Sequence, residues 1–345
     1  MTETRRHADI PTVVIAGGGF GGIQLAKGLK DKPVKVLMLD RHNYHTFQPL
    51  LYQVATGGLE AESIAFPLRK LFKNQKNFRF RLAEILSVDP AGQIVHTSTG
   101  EIRFDYLVLA TGSDTNFFGQ GQFEHYTMPM KTIPEALNIR SMILQNLEEA
   151  QIEPDPVKKE GLLNFAVVGG GPTGVELSGA LAELRNHVLR KDYPELDTTS
   201  VNIFLIESSP ELLGPMSVPA QQKSREFLEQ MGVRVMTSER VVDYDGERLT
   251  LRSGMVIHTE NVLWSAGVKG EVPEGIPEGV LARGNRIRVD EYNRVLGFDR
   301  IFAIGDVAAM SVPGYPDGHP GVAPAAMQAG KHLAANLVRL AAGLP

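Results

Sequence analysis

Apolar positions along the chain fall into short unbroken blocks, most of which end at a glycine or an acid. Thr12–Ala16 (TVVIA) has the continuous apolar character of a strand buried on both faces. A glycine-rich segment follows, then helical spacing from Gly21 to about Lys30. Pro33 ends that helix, and Val34–Leu39 (VKVLML) is the next strand, closing at Asp40. The same succession returns later. Asn164–Val168 reads as a strand, residues 169–174 as a loop, Gly174–Arg190 as a helix, and Val201–Ile206 as a strand closing at Glu207. Between the two copies lie a β-rich tract from Phe78 to Arg103, a strand at Tyr106–Ala110, and a helical pattern from about Pro134 to Ala150. Glu153–Gly161 (EPDPVKKEG) has the composition of a linker. Short alternating strands occupy Val233–Leu251, further strands Asn261–Trp264 and Arg300–Ile304, and an amphipathic helix Met327–Leu340.

Both loops have the spacing G-x-G-x-x-G: Gly17, Gly19 and Gly22 in the first, Gly169, Gly171 and Gly174 in the second. The first glycine permits a tight turn, the second lets backbone approach a pyrophosphate, and the third lets the helix pack against its strand. The helix N-terminus then presents N–H groups and a positive dipole end to phosphate. Asp40 and Glu207, at the ends of the following strands, are placed to accept hydrogen bonds from a ribose diol. Glu207 favours a free 2′-hydroxyl and repels a 2′-phosphate, and no Arg lies in the next residues (SSPELL), so NADH rather than NADPH is expected. Leu107–Gly112 (LVLATG) and Ile301–Asp306 (IFAIGD) are strands delivering Thr111, Gly112, Gly305 and Asp306 to the carboxyl ends where ligands bind in open α/β sheets. The expected fold is α/β, with two Rossmann-like dinucleotide-binding domains. The first has no room for all its strands before the second begins. One domain is therefore expected to be inserted into the other, with 1–118 and 291–345 forming the first and 119–290 the second.

Composition removes several alternatives. The apolar fraction of 43% and charged fraction of 22% are those of an ordinary globular protein. The net charge of -5 is spread without a basic stripe, so nucleic acid is not an expected partner. The absence of cysteine excludes a redox disulfide, a thiolate nucleophile and Cys-ligated iron or zinc, so electron transfer needs an organic cofactor. His42 and His45 have no further ligand nearby, and no metal site is expected. No run of roughly 18 apolar residues occurs, and the charged start MTETRRHADIP lacks a signal's apolar region, which makes the cytoplasm the default location.

Together these elements resemble the two-dinucleotide-binding flavoproteins, in which the first loop holds FAD and the second a nicotinamide dinucleotide. Longer tracts narrow the likeness. Asp40–Glu60 (DRHNYHTFQPLLYQVATGGLE), Val167–Leu184 (VVGGGPTGVELSGALAEL), Val262–Val268 (VLWSAGV), Ile301–Ala308 (IFAIGDVA) and Pro320–Ala334 (PGVAPAAMQAGKHLA) are similar, in order, to type II NADH dehydrogenases. These are single-subunit NADH:quinone oxidoreductases that do not pump protons. The resemblance implies an FAD site at Gly17, Gly19, Phe20, Gly21, Gly22, Asp40, Arg41, Ala83, Thr111, Asp306 and Ala326. It implies an NADH site at Gly169, Gly171, Thr173, Gly174, Glu207, Ala266 and Gly267. Tyr44, His45, Phe47 and Gln48 would shape the floor of the flavin pocket. Glu176 would face the nicotinamide and the flavin, orienting the carboxamide or responding to charge; read by itself it is a helix N-terminal acid stabilised by the dipole. Hydride would pass from NADH to FAD, and two electrons then to a quinone of the menaquinone or ubiquinone type near Gln328.

Two departures stand out. The family's quinone motif carries a Gln where this chain has Pro324, which removes one hydrogen-bond donor and leaves Gln328. Family members also continue into a C-terminal region that docks on the membrane, and these 345 residues are expected to lack it. The resemblance nevertheless implies the cytoplasmic face of the inner membrane and admits a homodimer. Two other readings stay open: a soluble NADH:acceptor reductase serving a small electron carrier or dioxygen, and a non-catalytic FAD- and NADH-binding redox sensor.

Overall fold

The computed structural model describes residues 10–344. The charged lead-in before residue 10 lies outside the described residues. Two compact units share the chain. One comprises 1–45, 65–114 and 268–345; the other comprises 46–64 and 115–267. The second unit is thus inserted into the first, but the boundaries differ from those read in the sequence. The chain returns to the first unit at Val268, not at 291, because Ile276, Ile287 and Val289 are buried in the first unit's core. Thr46–Ile64 goes with the second unit, where its helix Leu51–Ala55 packs against helices Ile133–Ile152 and Pro172–Glu183.

The first unit is built on a five-stranded parallel sheet in the order Ile301–Ala303, Tyr106–Leu109, Thr12–Ala16, Lys35–Asp40, Phe78–Leu82. As the spacing required, the edge strand comes from the C-terminal tract, with Ile301 opposite Leu107 and Ala303 opposite Leu109. The helix Phe20–Gly28 covers one face and lies against the C-terminal helix Ala323–Ala341 along a seam of small residues. A Cβ at Gly28 would stand 2.5 Å from that of Ala334, and one at Gly330 would collide with the Gly21 carbonyl. Gly330 costs the helix about 1 kcal/mol relative to alanine, and this close approach accounts for it. The opposite sheet face is covered by the antiparallel strands Ile85–Asp89, Ile94–Thr97 and Gly100–Arg103.

The second unit repeats the design. Its parallel sheet runs Met128–Pro129, Asn261–Trp264, Asn164–Val168, Asn202–Ile206, Val233–Met236. Here too a three-stranded antiparallel sheet (Val241–Tyr244, Arg248–Leu251, Val256–His258) covers one face. Two expected details change. Residues 153–161 are no linker: Asp155 caps a helix, Pro156–Leu163, by accepting from the Val157 and Lys158 N–H groups, with Pro at N1. The helix expected over 174–190 is α-helical over Pro172–Glu183, widens into a π-turn over Leu184–Leu189 and resumes as α-helix over Arg190–Asp192. There Arg185 donates to the Val201, Met231 and Gly232 carbonyls.

Candidate functional site

Each unit gathers its predicted residues at the carboxyl end of its own parallel sheet, and the two constructions match atom for atom. Gly17 N donates to Leu39 O and Gly169 N to Ile206 O, both at 2.8 Å. Each of these glycines has positive φ, +118° and +111°, which side-chain-bearing residues rarely adopt. The next N–H in each loop meets the carboxylate that ends the second strand. Gly18 donates to Asp40 Oδ2 and Gly170 to Glu207 Oε2, both at 2.6 Å. Asp40 and Glu207 therefore do more than await a ribose: they hold their own glycine loops in shape. The other oxygens are engaged as well, Asp40 Oδ1 by His42 N, and Glu207 Oε1 by Ser209 N and the Ser208 hydroxyl. Both Asp40 oxygens and Glu207 Oε2 accept one bond each and retain a lone pair for a ligand hydroxyl, whereas Glu207 Oε1 already accepts two. Burial pushes the Glu207 carboxyl up, but the Ser209 and Gly170 N–H bonds outweigh it and hold it below the usual carboxylate range.

The loops are open where a phosphate would sit and closed elsewhere. A Cβ at Gly19 or Gly171 would meet no atom within 4 Å, whereas one at Gly22 or Gly174 would collide with the carbonyl of Gly17 or Gly169. Gly19 and Gly171 are also the N-cap residues of their helices, and neither supplies a side-chain cap. Uncapped N-termini of helices of 9 and 12 residues, faced by glycine, fit the pyrophosphate of one dinucleotide each.

The remaining predicted residues of the first unit ring this cradle. Ala83, buried after its strand, donates its N–H to Asp40 O. Phe20 packs edge-on against His45, whose Nδ1 lies 3.2 Å from Gly18 O. Burial holds the His45 imidazole below its ordinary value. Gly305, with φ +73°, turns the chain beside Ala326, and the Ala326 carbonyl lies against Gly21. Asp306 accepts from the Ser113 hydroxyl at 3.0 Å. Arg41 and Thr111 converge on a residue that the sequence did not single out. Glu271 takes the Arg41 guanidinium on its carboxylate at 2.8 Å and the Thr111 hydroxyl on its carbonyl. Burial raises the Glu271 carboxyl above its ordinary value, against the pull of Arg41. In the second unit Ala266 and Gly267 follow strand Asn261–Trp264 as Thr111 and Gly112 follow theirs, and the Ser265 hydroxyl donates to Val168 O and Gly169 O. No sequence motif marks Glu271 or Ser113, because their partners are distant in the chain; Ser265 lies within the VLWSAGV tract, but nothing in that tract shows its bond to the glycine loop.

The two expected catalytic residues belong to different units, Glu176 to the second and Gln328 to the first. Glu176 lines a groove of about 760 Å³ with Tyr52, Gln53, Arg140, Glu183 and His187. Partial desolvation there raises its carboxyl above the ordinary value. A raised folded pKa favours the protonated acid, so the associated stability is present at low pH and is lost as pH rises through the folded value. Glu176→Gln is therefore expected to melt at or above the wild-type temperature at pH 7–8 and to match it near pH 4. Thermal melts across that range check it; a variant less stable only at high pH would show that the charged carboxylate is favourably held. Gln328 is exposed one turn into the C-terminal helix, and Pro324 occupies that helix's first turn, where no intrahelical donor is required.

Residues 11–330 match the profile of the pyridine nucleotide-disulphide oxidoreductase family. The chain is 35% identical to the type II NADH:quinone oxidoreductase Ndh of Mycobacterium tuberculosis, over 98% of this chain and 74% of that protein. This chain belongs to the type II NADH:quinone oxidoreductase family. The second relative of this kind in that organism, NdhA, is 34% identical over 93% of this chain and 70% of its own length. Among solved structures, NDH2 from Plasmodium falciparum in complex with NADH superposes with a TM-score of 0.84 over 95% of this chain at 21% identity, a likeness of fold. The same protein in complex with RYL-552 matches at 25% identity with a TM-score of 0.80, and the chain spans 64% of its length. Disulphide chemistry, part of the wider family's name, has no counterpart in a chain without cysteine. Among the described residues no helix is long and apolar enough to cross a membrane.

Proposed function

We propose that this protein oxidises NADH and reduces a quinone, holding FAD in its first unit and NADH in its second. The observation that carries the reading is the duplicated cradle: two glycine loops, each open at its central glycine, uncapped at its helix and clamped by a strand-end carboxylate. FAD, when bound, supplies the two-electron chemistry, accepting hydride from a nicotinamide and delivering electrons to an acceptor. The protein's residues bind and align. Glycine-loop N–H groups and helix N-termini would take the phosphates, Asp40 and Glu207 would take ribose hydroxyls, and Thr111, Gly305 and Asp306 would help hold the flavin. Glu207 selects NADH by repelling a 2′-phosphate. Gln328, exposed beside the buried Ala326, is the donor offered to a quinone. The natural acceptor is a membrane quinone of the menaquinone or ubiquinone type, met at the cytoplasmic face of the inner membrane.

The test is anaerobic titration of the flavin-loaded protein. Bleaching of the flavin by NADH but not by NADPH, then reoxidation by a short-chain quinone over many turnovers, is expected. Bleaching without quinone turnover would favour a different acceptor, and a folded protein that takes up no flavin would sink the reading. Gln328→Leu is expected to raise the KM for quinone about tenfold, the worth of one lost hydrogen bond, with bleaching by NADH unchanged. Steady-state kinetics with each substrate varied in turn checks this.

A further inference from the structure

Arg286 opens the strand Arg286–Val289, which pairs with Ala308–Met310 so that Ile287 stands opposite Ala308. Its half-buried guanidinium makes four hydrogen bonds, all to backbone carbonyls. Nε donates to Asp306 O at 3.1 Å, in the turn that follows the strand Ile301–Ala303, and Nη2 to Ala308 O, at the start of the strand after that turn. Nη2 also donates to His319 O at 2.8 Å and Nη1 to Asp317 O at 3.2 Å, both in the segment that runs into the C-terminal helix. One side chain thus ties the two stretches of chain together. Other contacts show how closely the segment lies on the turn. A Cβ at Gly321 would come within 3.1 Å of the Asp306 carboxyl carbon, and one at Gly318, whose φ is +90°, within 2.9 Å of Ala309 Cα. Val322 then caps the helix that carries Ala326 and Gln328.

We infer that Arg286 is a positioning residue that locks the Asp306 turn to residues 317–322, and so governs both FAD retention and the placement of Gln328 for its acceptor. The acceptor half rests on the function proposed above. The planar fork matters: it reaches carbonyls on two sides at once, which a lysine ammonium, with one nitrogen, does not. Losing the fork also leaves the part-buried Asp306, Ala308 and His319 carbonyls without this donor, which loosens the segment instead of merely removing a contact.

The experiment compares Arg286→Lys and Arg286→Met with wild type. Three readouts are taken: FAD affinity of the apoprotein by flavin fluorescence, hydrogen exchange of peptides covering 311–322, and KM values for NADH and a short-chain quinone. Arg286→Met is expected to bind FAD about tenfold more weakly, to exchange 311–322 faster, and to raise the quinone KM about tenfold while the NADH KM stays within about twofold. Arg286→Lys should fall between. If Arg286→Met does not fold, Gly321→Ala disturbs the same junction from the other side and is expected to weaken FAD and raise the quinone KM together. Unchanged FAD affinity and exchange in folded Arg286→Lys and in Gly321→Ala would overturn the inference. A wild-type protein that turns over no quinone would remove the proposed function alone, because affinity and exchange are read without an acceptor.

Discussion

Alanine at Gly22 is expected to unfold the first glycine loop, whereas alanine at Gly19, three residues earlier, is expected to leave the fold intact and remove FAD. The two positions belong to one motif and differ in what surrounds them. A Cβ at Gly22 collides with the Gly17 carbonyl, part of the turn whose N–H meets Leu39, so the helix must move away from its strand. Overpacking of this kind against backbone costs about 3 kcal/mol, or roughly 6–12 °C in melting temperature for a unit of this size. A Cβ at Gly19 meets nothing within 4 Å. It intrudes only where a pyrophosphate would lie, and a loss in FAD affinity of ~100-fold, about 2.8 kcal/mol, is expected with an unchanged melt of the apoprotein. Gly171→Ala and Gly174→Ala should reproduce the contrast in the second unit, with NADH in place of FAD. Melts of apoprotein alongside fluorescence titrations separate the two outcomes. If Gly19→Ala bound FAD as wild type does, the open side of the loop would not be the phosphate side.

Replacing Glu207 by Gln is expected to change cofactor choice and pH stability at once. Removing the charge ends repulsion of a 2′-phosphate, and the ratio of kcat/KM for NADH over NADPH should fall about 10–100-fold, or about 1.4–2.8 kcal/mol. The amide retains one oxygen for the Gly170 or Ser209 N–H but cannot serve both as the carboxylate does. The variant should therefore melt lower at pH 7. The folded Glu207 carboxyl titrates below its unfolded value of 4.5, so its contribution is present above that pH and is lost as pH falls through the folded pKa. The gap between wild type and variant should accordingly close as pH falls below 4.5 and through the folded pKa. Initial rates with both dinucleotides and melts from pH 3.5 to 8 decide it. An unchanged ratio would mean that Glu207 serves its own loop alone.

The loops, their strands and the two strand-end acids were legible because glycine spacing and continuous apolar blocks are local signals with few physical solutions. The completing strand Ile301–Ala303 and the C-terminal helix followed from counting strands. Elsewhere the sequence misled for identifiable reasons. Asp155-Pro156 reads as a linker by composition, yet the same two residues are an N-cap and an N1 proline. Thr46–Ile64 follows directly on the first unit's residues, and only packing of Leu51–Ala55 on the second unit's helices assigns it there. Glu271 and Arg286 act through partners far along the chain, mostly backbone carbonyls, which leave no trace in residue type or spacing.

The borrowed edge strand also orders the protein's birth on the ribosome. By the time Gly267 is made, every strand of the second sheet exists, so that unit can close while the first still lacks Ile301–Ala303 and the helix that seals Phe20–Gly28. Until those last residues emerge, Tyr106–Leu109 presents an unpaired parallel edge and the glycine seam of the first loop helix lies bare. The NADH-side half therefore matures first, and a nascent chain interrupted between the two events would carry a finished cradle beside an unfinished one.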